Sequence, residues 1–202
     1  IPYKKMWIRE LIRNAIEATV NYLQSGKTKK SKANIDIKAL EAPVWASTNW
    51  AKTAPKLTFL NLGGMTAEEL VTCVEVFSSG NEKTQSDEDN FGFGLVNPAA
   101  FSDVLITSRK GDKAHTVIIG LEGQDLVYKN DTTPGHPDFD VTEQVEEATE
   151  ARGYPKGEDF TEIVLLGEPL KDNGWFAHPS QNTVMDPYNE KKKSSKTPFA
   201  KN

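Results

Sequence analysis

Apolar residues recur at helical spacing from Lys5 to Gln24, where Ile8, Leu11, Ile12, Ala15, Ile16, Tyr22 and Leu23 gather on one side and Ser25-Gly26 supplies a stop. The period then changes. Asn34 to Leu40 alternates apolar and polar through IDIKAL, and Lys56 to Leu62 is apolar and extended, so both are expected to be strands, with a loop holding Trp45 and Trp50 between them. Thr66 reads as an N-cap, and Glu69 completes a capping box that starts a second helix running to about Phe77. Ser78 to Asn90, rich in Ser, Asn, Asp and Glu, reads as a long mobile loop that delivers the chain to FGFGLVNPAAF.

Beyond that point Asp103 to Ser108, Thr116 to Leu121 and Leu126 to Lys129 alternate as strands, with RKGDK as a hairpin turn between the first two. Val141 to Arg152 is an acidic helix and Thr161 to Leu166 a last strand. Strands clustered after residue 100, with helices before and between them, predict an α+β two-layer sandwich: a mixed, largely antiparallel sheet with helices on one face. From Pro169 onward Pro, Asn, Gly and Lys dominate and the chain ends in KKKSSK and a few more residues. The expected organisation is a domain over residues 1–168 and a polar, basic, poorly ordered tail or linker start over 169–202. No internal repeat is visible.

Composition narrows the class. With 202 residues, 37% of them hydrophobic and 26% charged, the chain can bury a sizeable core as one domain. No apolar run approaches the ~20 residues that span a bilayer, and no charged-then-apolar leader opens the chain, so no membrane partner and a cytoplasmic setting are expected. Opening on Ile1 rather than Met, the chain reads as part of something longer. Cys73 stands alone and His115, His136 and His178 are scattered, which is not the spacing of a structural metal site. A net charge of −5 argues against a globally basic nucleic-acid binder, so nucleic acid is not indicated, although Lys27 to Lys32 and KKKSSK are locally basic.

Candidate chemistry begins in the first helix. Glu10, Asn14 and Glu17 fall within an arc of roughly 60°, away from most apolar positions, so they project together. Taken alone, such a triplet is also what a solvated helix face looks like. Two glycine clusters follow: Asn61-Leu62-Gly63-Gly64-Met65 at the end of an apolar strand, and Phe91-Gly92-Phe93-Gly94-Leu95 after the polar loop. Glycines there allow positive φ and close backbone approach, exposing N–H groups that suit phosphate oxygens. Singly, one also reads as a turn and the other as a bulge; the ordered combination is more specific.

RELIRNAIEA, Arg9 to Ala18, resembles the N-box of the GHKL ATPases, the superfamily of gyrase B, the ninety-kilodalton heat-shock chaperone, histidine kinases and MutL. The resemblance implies the Bergerat ATP-binding fold, with Glu10 as general base, Asn14 as magnesium ligand and Glu17 as a supporting acid. LNLGGMT resembles the first glycine box, placing Asn61, Gly63, Gly64 and Met65 at the nucleotide, and FGFGL resembles the second, with Phe91, Gly92 and Gly94. Phe77 to Asn90 is similar to the ATP lid and places Lys83 as its lysine; TEIVL resembles the last box, whose Thr161 lies near the adenine. The lid and second box are most similar to those of phage members.

Four positions depart from the pattern: Leu60 stands where the first box begins with Asp, Asp89 replaces a glycine of the second, Leu95 rather than a lysine follows Gly94, and Phe160 replaces a glycine of the last. Asn61, one position on from Leu60, offers a side-chain carbonyl as substitute acceptor. The implied function is slow, magnesium-dependent ATP hydrolysis driving a conformational change, with ATP and magnesium as cofactors. A second copy of the chain and another protein are the implied partners besides the adenine nucleotide. The alternative is a degenerate, GHKL-shaped interaction module that binds without turnover.

Overall fold

A computed structural model describes residues 6–32, 35–40, 56–78, 98–99, 103–122 and 125–166. Within them run α1 (Met6–Gln24), β1 (Asp36–Leu40), β2 (Lys56–Leu62), α2 (Ala67–Ser78), β3 (Asp103–Lys110), β4 (Lys113–Glu122), β5 (Asp125–Tyr128), α3 (Thr142–Arg152) and β6 (Phe160–Leu166). The local signals of the sequence account for most of these limits. The capping box at the start of α2 is formed in both directions, Thr66 N–H to Glu69 Oε2 at 2.7 Å and Glu69 N–H to Thr66 Oγ1 at 3.1 Å.

The strands form one six-stranded sheet in the order β1-β2-β6-β3-β4-β5. All of its ladders are antiparallel, so the parallel component of the expected mixed sheet is absent among the described strands. The last strand in sequence is inserted at the centre, between β2 and β3. Successive residues of a strand face opposite sides, so the register reads as transverse rows. On one face run Leu57–Leu165–Val104–Ile119 and then Phe59–Ile163–Ile106–Val117. Leu11 of α1 and Leu70 and Val74 of α2 close over these two rows in one core cluster. Burying such a side chain stabilises the fold by about 1.5–3 kcal/mol, which is why these positions hold the layers together.

The expectation of helices on one face is corrected by α3, which packs on the other. Val141 and Val145 cluster there with Leu60, Ala114, Tyr154 and Phe160. The row Leu62–Phe160–Arg109–Ala114 crosses that second face, and all four residues are buried. Both faces of β3 and β6 are buried, so the sheet needs cover on both sides. Phe160 stands where the resemblance leads one to expect a glycine; its ring stacks on Tyr154 with centroids 4.4 Å apart and fills the core under α3.

Two further expectations are revised. RKGDK is a turn only at Gly111-Asp112, because Lys110 and Lys113 already pair across the hairpin. Arg109 is buried in β3, where its guanidinium donates to Glu146 Oε1 at 2.8 Å and its Nε to the Glu158 carbonyl at 3.2 Å. In α1, Leu11, Ala15 and Tyr22 are buried as expected, but Ile16 is 48% exposed and points away from the sheet together with Val20. The loop around Trp45 and Trp50, the lid residues 79–90, the second glycine box and the tail 169–202 lie outside the described residues.

Candidate functional site

The end of the sheet beneath α1 carries a third row on the helix face, Asn61–Thr161–Ser108–His115, and it is polar where the rows behind it are apolar. The glycine turn that follows β2 folds back onto this row. Met65 N–H donates to Ser108 Oγ at 2.7 Å, Ser108 Oγ lies 3.0 Å from Thr161 Oγ1, and Thr161 Oγ1 donates to the Gly63 carbonyl at 2.8 Å. Thr161 spends its only proton on Gly63, so it can only accept from Ser108. Donation thus runs one way, from Met65 through Ser108 and Thr161 to Gly63. Ser108 also reaches the Phe160 carbonyl at 3.2 Å as an alternative acceptor.

The glycines are required by what the turn touches. Gly63 has φ of 94°, and a Cβ there would sit 3.0 Å from the Ala18 carbonyl of α1. A Cβ on Gly64 would lie 1.7 Å from the Arg109 carbonyl of β3. Both glycines therefore let the turn wedge between helix and sheet. Thr19 Oγ1 donates to the Leu62 carbonyl at 3.4 Å from the helix side, and Lys110 Nζ grips Glu69 Oε2 at 2.6 Å from the sheet side. Asn61 is buried, and its Nδ2 donates to the Leu62 carbonyl at 2.8 Å, which leaves Oδ1 as the atom able to accept.

Glu10, Asn14 and Glu17 share one flank of α1. Arg13 stands between the two acids, with its Nε 2.9 Å from Glu17 Oε1 and its Nη1 3.9 Å from Glu10 Oε2. Such half-exposed pairs contribute only about 0.2–0.5 kcal/mol each, so they orient the side chains more than they stabilise the helix. Asn14, half-buried, lies one turn before Ala18, about 6 Å along the axis from the point where Gly63 meets the helix. Glu10 lies a further turn away.

Of the residues named from sequence, the fold joins Gly63, Met65 and Thr161 in one hydrogen-bonded cluster, places Asn61 and Gly64 in the same strand end and turn, and sets Asn14, Glu10 and Glu17 along the adjoining helix. Lys83, Phe91, Gly92 and Gly94 lie outside the described residues. Ser108 and His115 were not singled out. The signal for Ser108 was present as a hydroxyl in an otherwise apolar strand, but its role depends on β6 arriving beside β3. His115 packs its ring on Phe139 at 5.0 Å between centroids, and its Nδ1 is buried without a partner among the described residues. Burial holds its pKa below the usual histidine value despite the nearby Asp140 carboxylate.

Among the described residues no three His, Cys, Asp or Glu side chains are grouped to hold a metal ion by themselves, and no helix is long and apolar enough to cross a membrane. A cavity of about 590 Å³ opens beside Asn61, on the side of the sheet toward the Gly153–Pro155 turn rather than under α1. Comparison with known protein families and with curated proteins finds no match for this chain.

Proposed function

We propose that this chain is a GHKL-type nucleotide-binding domain that takes ATP with magnesium and hydrolyses it slowly to drive a conformational change. The observation that carries the reading is the glycine turn knitted through Ser108 to Thr161 directly beside the helix that bears Glu10, Asn14 and Glu17. Two helices over one face of an antiparallel sheet, with the nucleotide between helices and sheet, is the Bergerat arrangement that the reading calls for. The lid and second glycine box are similar to those of the rapid-lysis A protein of T-even phages. A cytoplasmic protein acting with a second copy of itself belongs to the same reading.

Asn14 suits magnesium as a single oxygen donor, because this ion keeps several waters and takes its remaining ligands from phosphates rather than from an all-protein cage. Asn14 would hold the ion, whose chemistry there would be to offset the phosphate charge. Glu10, a turn before Asn14, orients and deprotonates the attacking water. Asn61 Oδ1 accepts from the adenine amino group, and Thr161 holds the turn against the base. Two observations favour the alternative of an interaction module without turnover: Arg13 already engages Glu10 and Glu17, and the close approach of Gly63 and Gly64 is to α1 and β3.

Calorimetry with ATP and magnesium separates these readings. Under the first, heat is released, Asn14→Ala weakens magnesium-dependent binding, and Glu10→Gln preserves binding while slowing turnover about 10²–10⁴-fold. Binding without turnover in the parent protein leaves the interaction module, and no heat at millimolar nucleotide removes the nucleotide reading altogether.

A further inference from the structure

The cavity beside Asn61 has a construction of its own. Asp36 and Leu60 are the last pair of the β1–β2 ladder, so Asn61 and Leu62 run on without a β1 partner and floor the opening. Lys30 and Lys32, from the loop after α1, form one wall, and Gly153 and Pro155, from the turn after α3, form the other. The two walls are tied across Glu158. Its Oε1 accepts from Thr28 Oγ1 at 2.9 Å and its Oε2 from Tyr22 OH at 3.0 Å. Thr28 Oγ1 in turn accepts the Lys30 N–H at 3.1 Å, and Ser25 Oγ accepts the Lys27 N–H at 3.3 Å, so the loop backbone is held in place.

The charge on these walls runs against that of the molecule. Lys27, Lys29, Lys30 and Lys32 lie on the loop and Lys156 on the facing turn, in a chain of net charge −5. None of the five makes an ion pair among the described residues, unlike Lys110, Lys113 and Lys129 elsewhere on the surface. Against these five lysines stand three carboxylates: Asp36 on the rim, Glu158, which accepts from two hydroxyls, and Asp159, whose Oδ1 accepts the Gly111 N–H at 2.8 Å. Clustered cations on a fixed loop beside a low-dielectric floor concentrate anions.

We infer that this cavity binds a small ligand carrying a polyphosphate, the lysine loop taking the phosphates and Leu60 and Leu62, on the α3 face of β2, taking the group to which they are attached. The volume of about 590 Å³ lies within the usual range for such ligands. The inference does not rest on the nucleotide site proposed along α1 and the glycine turn, and the two separate on mutation.

Sodium tripolyphosphate, titrated without magnesium into the full chain at low salt, tests it. The parent protein binds, and binding weakens as salt is raised. Replacing both Lys30 and Lys32 with Glu weakens it by about tenfold or more, a change of about 1.4 kcal/mol. Lys113→Glu, on the β3–β4 hairpin, leaves it unchanged. Should the double reversal fail to fold, Lys32→Gln gives a smaller loss in the same direction. ADP binding without magnesium that the Lys30/Lys32 double reversal also weakens reports on the cavity: tighter binding than tripolyphosphate then shows that the floor takes the base, and binding no tighter shows a site for polyphosphate alone; either supports the inference. No binding at millimolar tripolyphosphate overturns it, as does an equal loss on Lys113→Glu. Loss of tripolyphosphate binding on Asn14→Ala also overturns it, because the phosphates then sit on α1. ATP–magnesium binding that survives Asn14→Ala but is lost in the Lys30/Lys32 double reversal overturns only the reading of α1.

Discussion

Removing the hydroxyl of Ser108 cuts the directed chain that fixes the glycine turn to the sheet. Ser108→Ala strips Met65 N–H of its acceptor and takes from Thr161 Oγ1 its donor, at a position with no solvent access to supply a substitute. A buried group left unsatisfied costs about 1–3 kcal/mol. For a chain of this size that lowers the melting temperature by roughly 2–12 °C. Thr161→Val keeps shape and strand preference but leaves the Gly63 carbonyl without its donor, for a similar loss. Because both changes break one chain, the double variant costs less than the sum of the singles, by about 0.5 kcal/mol or more. Urea denaturation of the four proteins gives the numbers. Single losses below about 0.5 kcal/mol, or strict additivity, would falsify the idea that these hydroxyls act as one unit.

Gly64→Ala forces a methyl to within 1.7 Å of the Arg109 carbonyl, so we expect about 3 kcal/mol of destabilisation or no folded protein; circular dichroism and denaturation showing parent-like stability would mean that the turn does not pass so close to β3. Glu162 is buried and receives both the Arg152 guanidinium and the Tyr154 hydroxyl, so Glu162→Ala leaves a buried cation without this carboxylate and costs about 3–5 kcal/mol, whereas a loss under 1 kcal/mol in denaturant would show the pair to be solvated. His115, whose pKa burial depresses, takes up its proton more readily in the unfolded chain, so stability is full above its ordinary value of 6.5 and falls as pH drops below it. His115→Gln flattens that limb of the stability–pH curve; Glu69, whose pKa is lowered by its hydrogen bond from Lys110, contributes a separate loss below 4.5, and a slope between 6.5 and 5 that survives His115→Gln refutes the assignment.

Local patterning marks the types and approximate limits of the helices and strands. Periodicity and capping chemistry act over a few residues, which is why Thr66 and Glu69 announce the start of α2 and Lys56 to Leu62 matches β2 at both ends. The cluster Asn61, Gly63, Gly64 and Met65 was legible for the same reason, as a strand followed by a turn that needs glycine. The insertion of β6 between β2 and β3, by which Thr161 meets Ser108 and Gly63, is set by long-range packing instead. Pairing order depends on contacts between residues far apart in the chain, and no local pattern encodes it. The side taken by α3 was equally hidden, because strands buried on both faces carry no mark of which face a helix will cover. Ile16 and Val20 look the same in sequence as Leu11 and Ala15; they differ only in that the sheet lies under the second pair and not the first.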